Sequence, residues 1–418
     1  MATTLRAILP HLFALLLGFA LLQMGNTLQG TLLSIRGDIE GFSSTQIGAV
    51  GACFWAGIVA GSLRSGTIIQ RVGHIRTFAA LAAIASTIPL LHLLLIDPVA
   101  WMILRALTGF CFAGLFIVVE SWLNAAAKIE TRGRILSIYG MTGLMAGIGG
   151  QLLLPATDPL GFRPFCIVAV TLALSLVPLA LSRSTAPSEA SIGARINPRK
   201  LYGQSPFGVV AAFLAGATTG AFFTLGPVFA QKRGLDTGEI AIFMSSGTLG
   251  GFLMAWPLGW LSDRMDRRPV IIAASITAAT MLLGMIAVVP QGAYAWILYL
   301  CVALFGATVV PIYSIIIAQV SDVLAKEELV AASGGLLLLN GIGATIGPII
   351  AGFAMSATPR GLSYTLVAAQ TLIAVWGLYN LLQRAAPAAA LKSHFLVEPP
   401  VPVGTSLTQA HSTAEQRG

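Results

Sequence analysis

Arg105 and Glu120 are opposite charges set within one long apolar stretch, residues 99–126. An ionised side chain in a membrane-spanning segment costs about 2.5–3.5 kcal/mol on insertion scales and is tolerated where it faces a partner or a cavity. A guanidinium in such a place can hold the carboxylate or phosphate of a solute, and a carboxylate can carry a proton. The two residues lie 15 positions apart (120 minus 105), roughly 22 Å along a helix at 1.5 Å per residue, so they do not pair within one straight helix. At about 100° per residue, Arg105, Thr108, Phe112, Phe116 and Glu120 share one broad face, a polar-tipped aromatic stripe expected of a cavity-lining helix. The structural alternatives are that Arg105 bonds carbonyls or polar groups of another span and that Glu120 serves contacts near a loop.

A second polar stripe runs through residues 10–34, where Gln23, Asn26, Thr27, Gly30 and Ser34 fall within about 60° of one line. Its amides either bind a substrate or tie helices together. Thr218, Thr219, Phe222 and Phe223 mark residues 207–231, and Pro311, Tyr313 and Ser314 mark residues 292–320. His92, near the end of residues 77–96, is either a titrating group or a hydrogen-bonded, interfacial one. There is no Gly-x-x-x-x-Gly-Lys-(Ser/Thr) phosphate loop and no His, Cys and acidic cluster suited to a metal. The expectation is a protein that is not an enzyme and needs no cofactor or metal.

The elements that carry these residues follow from composition. Only 10% of the residues are Asp, Glu, Lys or Arg, against about 25% in an average soluble protein, and 56% are apolar. The mean hydropathy is +0.85. So few charges cannot cover a soluble surface of this size. Apolar runs such as 13–33, 77–96 and 270–289 have the roughly 20 residues that a bilayer core asks of a helix. Twelve such spans are predicted: 10–34, 45–68, 77–96, 99–126, 135–154, 164–182, 207–231, 240–262, 269–289, 292–320, 329–356 and 362–383. The first is read as a span and not as a removed leader, because Gln23-Met24-Gly25-Asn26 follows where a small-residue cleavage pattern would stand. All four cysteines, Cys53, Cys111, Cys166 and Cys301, fall inside spans and are expected to pack rather than to form disulfides.

Lysine and arginine set the orientation. With both termini cytoplasmic, 17 of the 24 basic residues lie on the inner side and 5 on the outer, leaving Arg64 and Arg105 within spans. The same bias accounts for the net charge of +8, which is therefore no sign of nucleic-acid binding.

Residues 66–76, Gly-Thr-Ile-Ile-Gln-Arg-Val-Gly-His-Ile-Arg, return in altered form at 259–268, Gly-Trp-Leu-Ser-Asp-Arg-Met-Asp-Arg-Arg, a repeat offset of 193 (259 minus 66). Each copy joins two apolar runs on the side assigned to the cytoplasm, which divides the chain into related halves. The expected units are a six-helix bundle over 1–182, a basic link over 183–204, a second bundle over 205–384 and a disordered tail over 385–418. Gly66 and Gly259 permit close helix approach, and Asp263 can pair with neighbouring guanidinium groups to form a latch.

The second copy resembles the cytoplasmic turn of the major facilitator superfamily, Gly-x-x-x-Asp-Arg-x-Gly-Arg-(Arg/Lys), through Gly259, Asp263, Arg264, Arg267 and Arg268, with Asp266 where Gly is usual. The first copy matches at Gly66, Arg71 and Gly73, with Arg76 one place late and Gln70 in place of the Asp. The resemblance covers residues 8 to about 384. It implies an all-α membrane protein of twelve helices in two pseudo-symmetric six-helix bundles around a central cavity, with alternating access. Arg105 and Gly109 look like the family's Arg-x-x-x-Gly element in span 4, associated with proton coupling, and by family analogy spans 1, 4, 7 and 10 line the cavity. Gly343, Gly347, Pro348 and Gly352 in span 11 resemble an antiporter element usually carried in span 5, and helix packing through small residues accounts for them equally.

The function expected is secondary active transport of a small organic solute, coupled to protons. The substrate and proton pathway is expected to use Arg105, Glu120, Gln23, Asn26, Thr108, Phe112, Phe222 and Tyr313. The latch is expected at Gly66, Arg71, Gly73, Arg76, Gly259, Asp263, Arg264, Arg267 and Arg268. A lone cavity arginine favours an anion or zwitterion, whereas aromatics with an acidic group favour efflux of lipophilic cations. A membrane sensor that kept the fold without transporting is the alternative of another class. The expected setting is the plasma membrane, the inner one in a Gram-negative cell, with lipid, protons and a small molecule as partners of a monomer.

Overall fold

The computed structural model describes residues 2–126, 132–181, 198–288, 295–324 and 328–383. The chain in it is helical almost throughout, because a span in lipid must satisfy every backbone N–H and C=O within itself. The helices are α1 (Ala2–Ile39), α2 (Ser44–Val72), α3 (His74–Leu94), α4 (Pro98–Ala126), α5 (Arg132–Leu153), α6 (Arg163–Leu174), α7 (Leu176–Ala180), α8 (Pro198–Gln204), α9 (Pro206–Lys232), α10 (Thr237–Arg264), α11 (Arg267–Ala287), α12 (Ala295–Ser321), α13 (Leu329–Ala357) and α14 (Gly361–Gln383). Among the described residues, eleven helical stretches are long and apolar enough to cross a membrane, with α6 and α7 sharing one. The 38-residue α1 completes the twelve.

α2 and α10 outrun their apolar stretches, and each starts at a polar cap. Ser43 and Gln46 form a capping box at the start of α2, and Asp236 and Glu239 form one at the start of α10. The predicted link 183–204 is described only from residue 198, where it forms α8; residues 182–197 and the predicted tail lie outside the described residues. Lys200 pairs with Glu328 at 2.5 Å and Gln204 donates to the same carboxylate, which fastens α8 to the start of α13. The hydrogen bond from Lys200, with that from Gln204, holds the Glu328 carboxyl below the usual range. This tie is therefore complete above the ordinary carboxylate pKa and is lost as pH falls through the lowered value.

Packing partners repeat between the halves. In α1–α7 the close neighbours are α1 with α5, α2 with α4, and α3 with α6; in α9–α14 they are α9 with α13, α10 with α12, and α11 with α14. The bundles meet through α2 against α13 and α5 against α10. This is the expected pair of pseudo-symmetric six-helix bundles. Edge-on aromatics fill the first, with Phe19 to Phe116 at 5.7 Å and Phe112 to Phe116 at 5.6 Å. Phe222 to Phe305 at 4.9 Å is a counterpart in the second.

The repeated turn is built differently in its two copies. Gly73 takes φ +92°, a left-handed value that favours glycine, while Asp266 at the equivalent place takes φ −54° and caps α11 through the Arg268 N–H. That capping role explains an aspartate where the family turn has glycine. Arg267 is buried and donates to Asp263 and Asp322, each at 2.8 Å, and to Ser262 at 3.0 Å. Arg268 holds Asp266 at 2.6 Å and reaches the Asn380 carbonyl, and Arg264 lies 3.7 Å over the Trp260 ring. These bonds join α10, α11, α12 and α14 within one bundle, whereas a latch was expected to work as the halves rock. In the first copy, open space surrounds the place where a Cβ of Gly66 would stand, so the expected close approach there is absent, and Arg71 and Arg76 are exposed. Gly259 is buried.

Asp322→Ala removes one buried acceptor of Arg267 while Asp263 still pairs with it, so it is expected to cost about 1–3 kcal/mol and to lower the melting temperature of detergent-purified protein. Lys200→Gln, at a more exposed pair, is expected to leave it nearly unchanged.

Candidate functional site

Between the bundles lies a cavity of about 1400 Å³, counting the part open to solvent. Its walls come from α1, α2, α4 and α5 on one side and α9, α10, α12 and α13 on the other. The polar stripe of α1 faces it whole, since Gln23, Asn26, Thr27, Gly30 and Ser34 all line it. Some of its hydroxyls are engaged within the protein: Thr27 donates to the Gln23 carbonyl at 2.8 Å and Ser34 to the Thr224 carbonyl at 2.7 Å. Thr31 donates to Gln151 at 2.9 Å. The side-chain amides of Gln23 and Asn26 make no hydrogen bond among the described residues, and both residues are buried, at 5% and 8% exposure.

Arg105 reaches the cavity wall from α4 and is 6% exposed. Its guanidinium carbon lies 4.2 Å over the centre of the Phe54 ring, a cation–π contact. Nη1 is buried with no hydrogen-bond partner, and no carboxylate or carbonyl among the described residues accepts from the side chain. The crossing of α2 and α4 sets this stack. A Cβ on Gly109 would run into the Phe54 carbonyl and one on Gly57 into that of Ala106, so glycine at both places lets the backbones touch. No Asp or Glu lines the cavity among the described residues.

The expected stripe on α4 is not a cavity face. Thr108 is buried with its hydroxyl on the Leu104 carbonyl at 2.8 Å, and Phe112 packs on Phe54 and Phe116. Glu120 is fully buried and away from the wall. The reason is that α2 and α1 pack against α4, so that only its first two turns, through Trp101 and Arg105, reach the cavity among the described residues. On α9, Thr219 and Phe223 face the cavity. Phe222 turns instead into the core against Phe305 and Phe243, and Thr218 bonds Gln370 at 3.0 Å. Tyr313 and Ser314 line the cavity from α12.

Sequence reasoning missed Phe54, Trp55, Gln151, Thr248 and Asn340 on the wall. Gln151 and Asn340 carried a readable signal, an amide within an apolar run, which was the signal used for Gln23. The glycines of α13 follow the packing alternative, since Gly343 and Gly347 lie against the Phe213 and Ala217 carbonyls of α9. His92 is buried with Nδ1 2.9 Å from the Ile88 carbonyl, while Trp101 donates to the His92 carbonyl.

One end of the cavity, next to the turn between α1 and α2, is closed by contacts between the bundles. Lys232 lies 3.6 Å from Asp38 and donates to Ser44 at 2.8 Å, and the Thr45 and Ser356 hydroxyls meet at 2.9 Å. Gly48 faces the Pro348 carbonyl so closely that no Cβ fits, and a Cβ on Gly352 would come 2.7 Å from the Ser44 carbonyl.

The profile of the Major Facilitator Superfamily matches residues 15–348. The chain belongs to this superfamily. The MFS-type transporter YcaD of Escherichia coli strain UMN026 is 26% identical over 362 residues, covering 86% of this chain and 92% of that protein. YcaD of Shigella flexneri is equally similar over 366 residues. Among solved structures, a point mutant of the nucleoside transporter NupG superposes with a TM-score of 0.76 at 14% identity, covering 90% of this chain and 99% of that one. A bacterial homologue of the human lysosomal transporter Spinster, inward-facing and unoccupied, gives 0.68 at 16% identity over 90% and 98%. These structural likenesses show the fold of the superfamily, and the family and its named relatives are transporters rather than enzymes.

In a background with Cys53, Cys111, Cys166 and Cys301 replaced by alanine, cysteines placed at Asn26 and Thr219 are expected to react with a water-soluble maleimide. Those placed at Thr108, Phe112 and Phe222 are expected to stay unlabelled until the protein is denatured.

Proposed function

We propose that this chain is a secondary transporter that moves a small organic anion across the membrane by alternating access, with Arg105 as the anchor for the anionic group. The observation that carries the reading is the Arg105 guanidinium, buried at the cavity wall with no acceptor among the described residues. A buried cation without a partner is costly, and a planar, two-pronged donor matches a carboxylate or phosphate. Efflux of cations would call for an acidic wall residue, and none stands there among the described residues.

Lysine and arginine distribution assigns the repeated turn to the cytoplasm and the turn between α1 and α2 to the outside. The contacts of Lys232, Thr45 and Gly48 then lie at the outer end, which supports an inward-facing reading. The moving bodies are residues 1–182 and 205–384, joined by the link 183–204, and the Asp263–Arg267–Asp322 cluster keeps the second body rigid at its cytoplasmic end. One chain encloses the cavity, in keeping with action as a monomer in the lipid bilayer. The coupling ion we assign is the proton, with Glu120, buried in the same helix as Arg105, as the titrating group.

Uptake into proteoliposomes tests both parts. Arg105→Ala is expected to abolish flux of an accepted anion and Arg105→Lys to retain part of it, while Glu120→Gln is expected to remove the response to a pH gradient. Preference for organic cations would sink the anchor, and flux indifferent to a pH gradient and to membrane potential would sink the coupling. A bulkier side chain at the outer seam, Gly48→Val, is expected to hold that end apart. A cysteine at Asn26 should then label from the outside; unchanged labelling would count against closure by this seam.

A further inference from the structure

The cavity wall holds a second set of unused polar groups besides Arg105. Other wall groups are spent within the protein: Thr31 on Gln151, Ser34 on the Thr224 carbonyl, and Asn340 on the Ala212 carbonyl at 3.1 Å. The amides of Gln23 and Asn26, about one helical turn apart on α1, make no hydrogen bond among the described residues, and Oε1 of Gln23 is buried without a partner. A buried acceptor left unmade costs the full desolvation of that group, so a bound solute that donates to it gains what the protein alone forgoes.

The heights of the two sets follow from helix packing. Phe19 packs on Phe116, and Gly37 lies against Trp101, so α1 and α4 run antiparallel with Arg105 level with residues 30–33 of α1. Asn26 then lies about 6–10 Å and Gln23 about 10–15 Å deeper in backbone height, at 1.5 Å per residue. The Cα–Cβ bonds of two antiparallel helices tilt toward opposite ends, so the side chains do not shorten this gap; a roughly six-carbon solute, with a hydrogen bond of about 2.8 Å at each end, is of the length that spans it.

The chemistry of the far end is also constrained. An ammonium seated on the amides would have no carboxylate to face, since none lines the cavity among the described residues, and an unpaired buried ion is disfavoured. A neutral hydroxyl both donates and accepts, so it satisfies a primary amide in either orientation. On the reading that Arg105 anchors an anion, we infer that the solute is a hydroxylated organic acid, its acid group on Arg105 and its hydroxyls on Gln23 and Asn26. Zwitterions and purely apolar acids are the solutes this arrangement selects against.

Four matched six-carbon probes test the inference by calorimetric titration of the purified full chain: gluconate, hexanoate, 6-aminohexanoate and glucose. Gluconate is expected to bind about tenfold more tightly than hexanoate, with 6-aminohexanoate and glucose weaker still. Gln23→Ala with Asn26→Ala is expected to bring gluconate down to the level of hexanoate while hexanoate itself changes by less than about twofold. Equal binding of gluconate and hexanoate, or 6-aminohexanoate as the tightest probe, overturns the hydroxyl subsite and leaves the anion reading standing. Absence of any carboxylate binding that Arg105→Ala removes overturns both. If the double variant also loses hexanoate, Gln23→Met with Asn26→Leu decides through the same ratio: loss of the gluconate preference supports the subsite, and its retention overturns it.

Discussion

The guanidinium of Arg105 lies over the Phe54 ring at a cavity wall, and the protein supplies it with no acceptor among the described residues. Everything around it serves to keep it so. The glycines at the crossing of α2 and α4 bring the two backbones into contact, which fixes the ring beneath the charge. Phe112 packs behind that ring and continues through Phe116 to Phe19 of α1. A cation in that position is tolerable within a membrane protein because the cavity admits water, and the aromatic face returns part of the lost hydration. On the proposed reading, the cost that remains is what a bound anion relieves.

The twofold plan of the fold is regular in packing and irregular in chemistry. Helix partners repeat from one bundle to the other, as the packing of similar apolar faces demands. Charge does not repeat. The first bundle holds the cavity arginine and the α1 amides, and the second holds the buried Arg267 with its two carboxylates. A transporter of this plan can keep one bundle for recognition and brace the other as a lever, since rocking needs two rigid bodies but only one anchored solute.

At the closed end the bundles meet through backbone carbonyls against glycine and through Lys232 between Asp38 and Ser44. Each polar contact there is partly exposed and individually weak. On the proposed alternating-access reading, such a closure can be exchanged for one at the opposite end at little net cost.

Twelve spans, two related halves and the polar face of α1 were legible in the sequence, because bilayer thickness, a repeated turn and helical periodicity leave their marks on single segments. Gln23, Asn26, Thr27, Gly30 and Ser34 share a line in the sequence and share the wall in the fold, since an α1 polar face has no other place to go. On α4 the same periodicity misplaced Thr108, Phe112 and Glu120. Period tells which residues share a face, and it is silent on whether that face meets a neighbouring helix or a cavity. Only the tertiary structure decided that Phe54 lies beneath Arg105, that the Asp263 turn braces one bundle, and that Gln151 and Asn340 come to the same cavity. Those outcomes depend on contacts between helices far apart in the chain, and no local pattern in one segment encodes which partner will cover it.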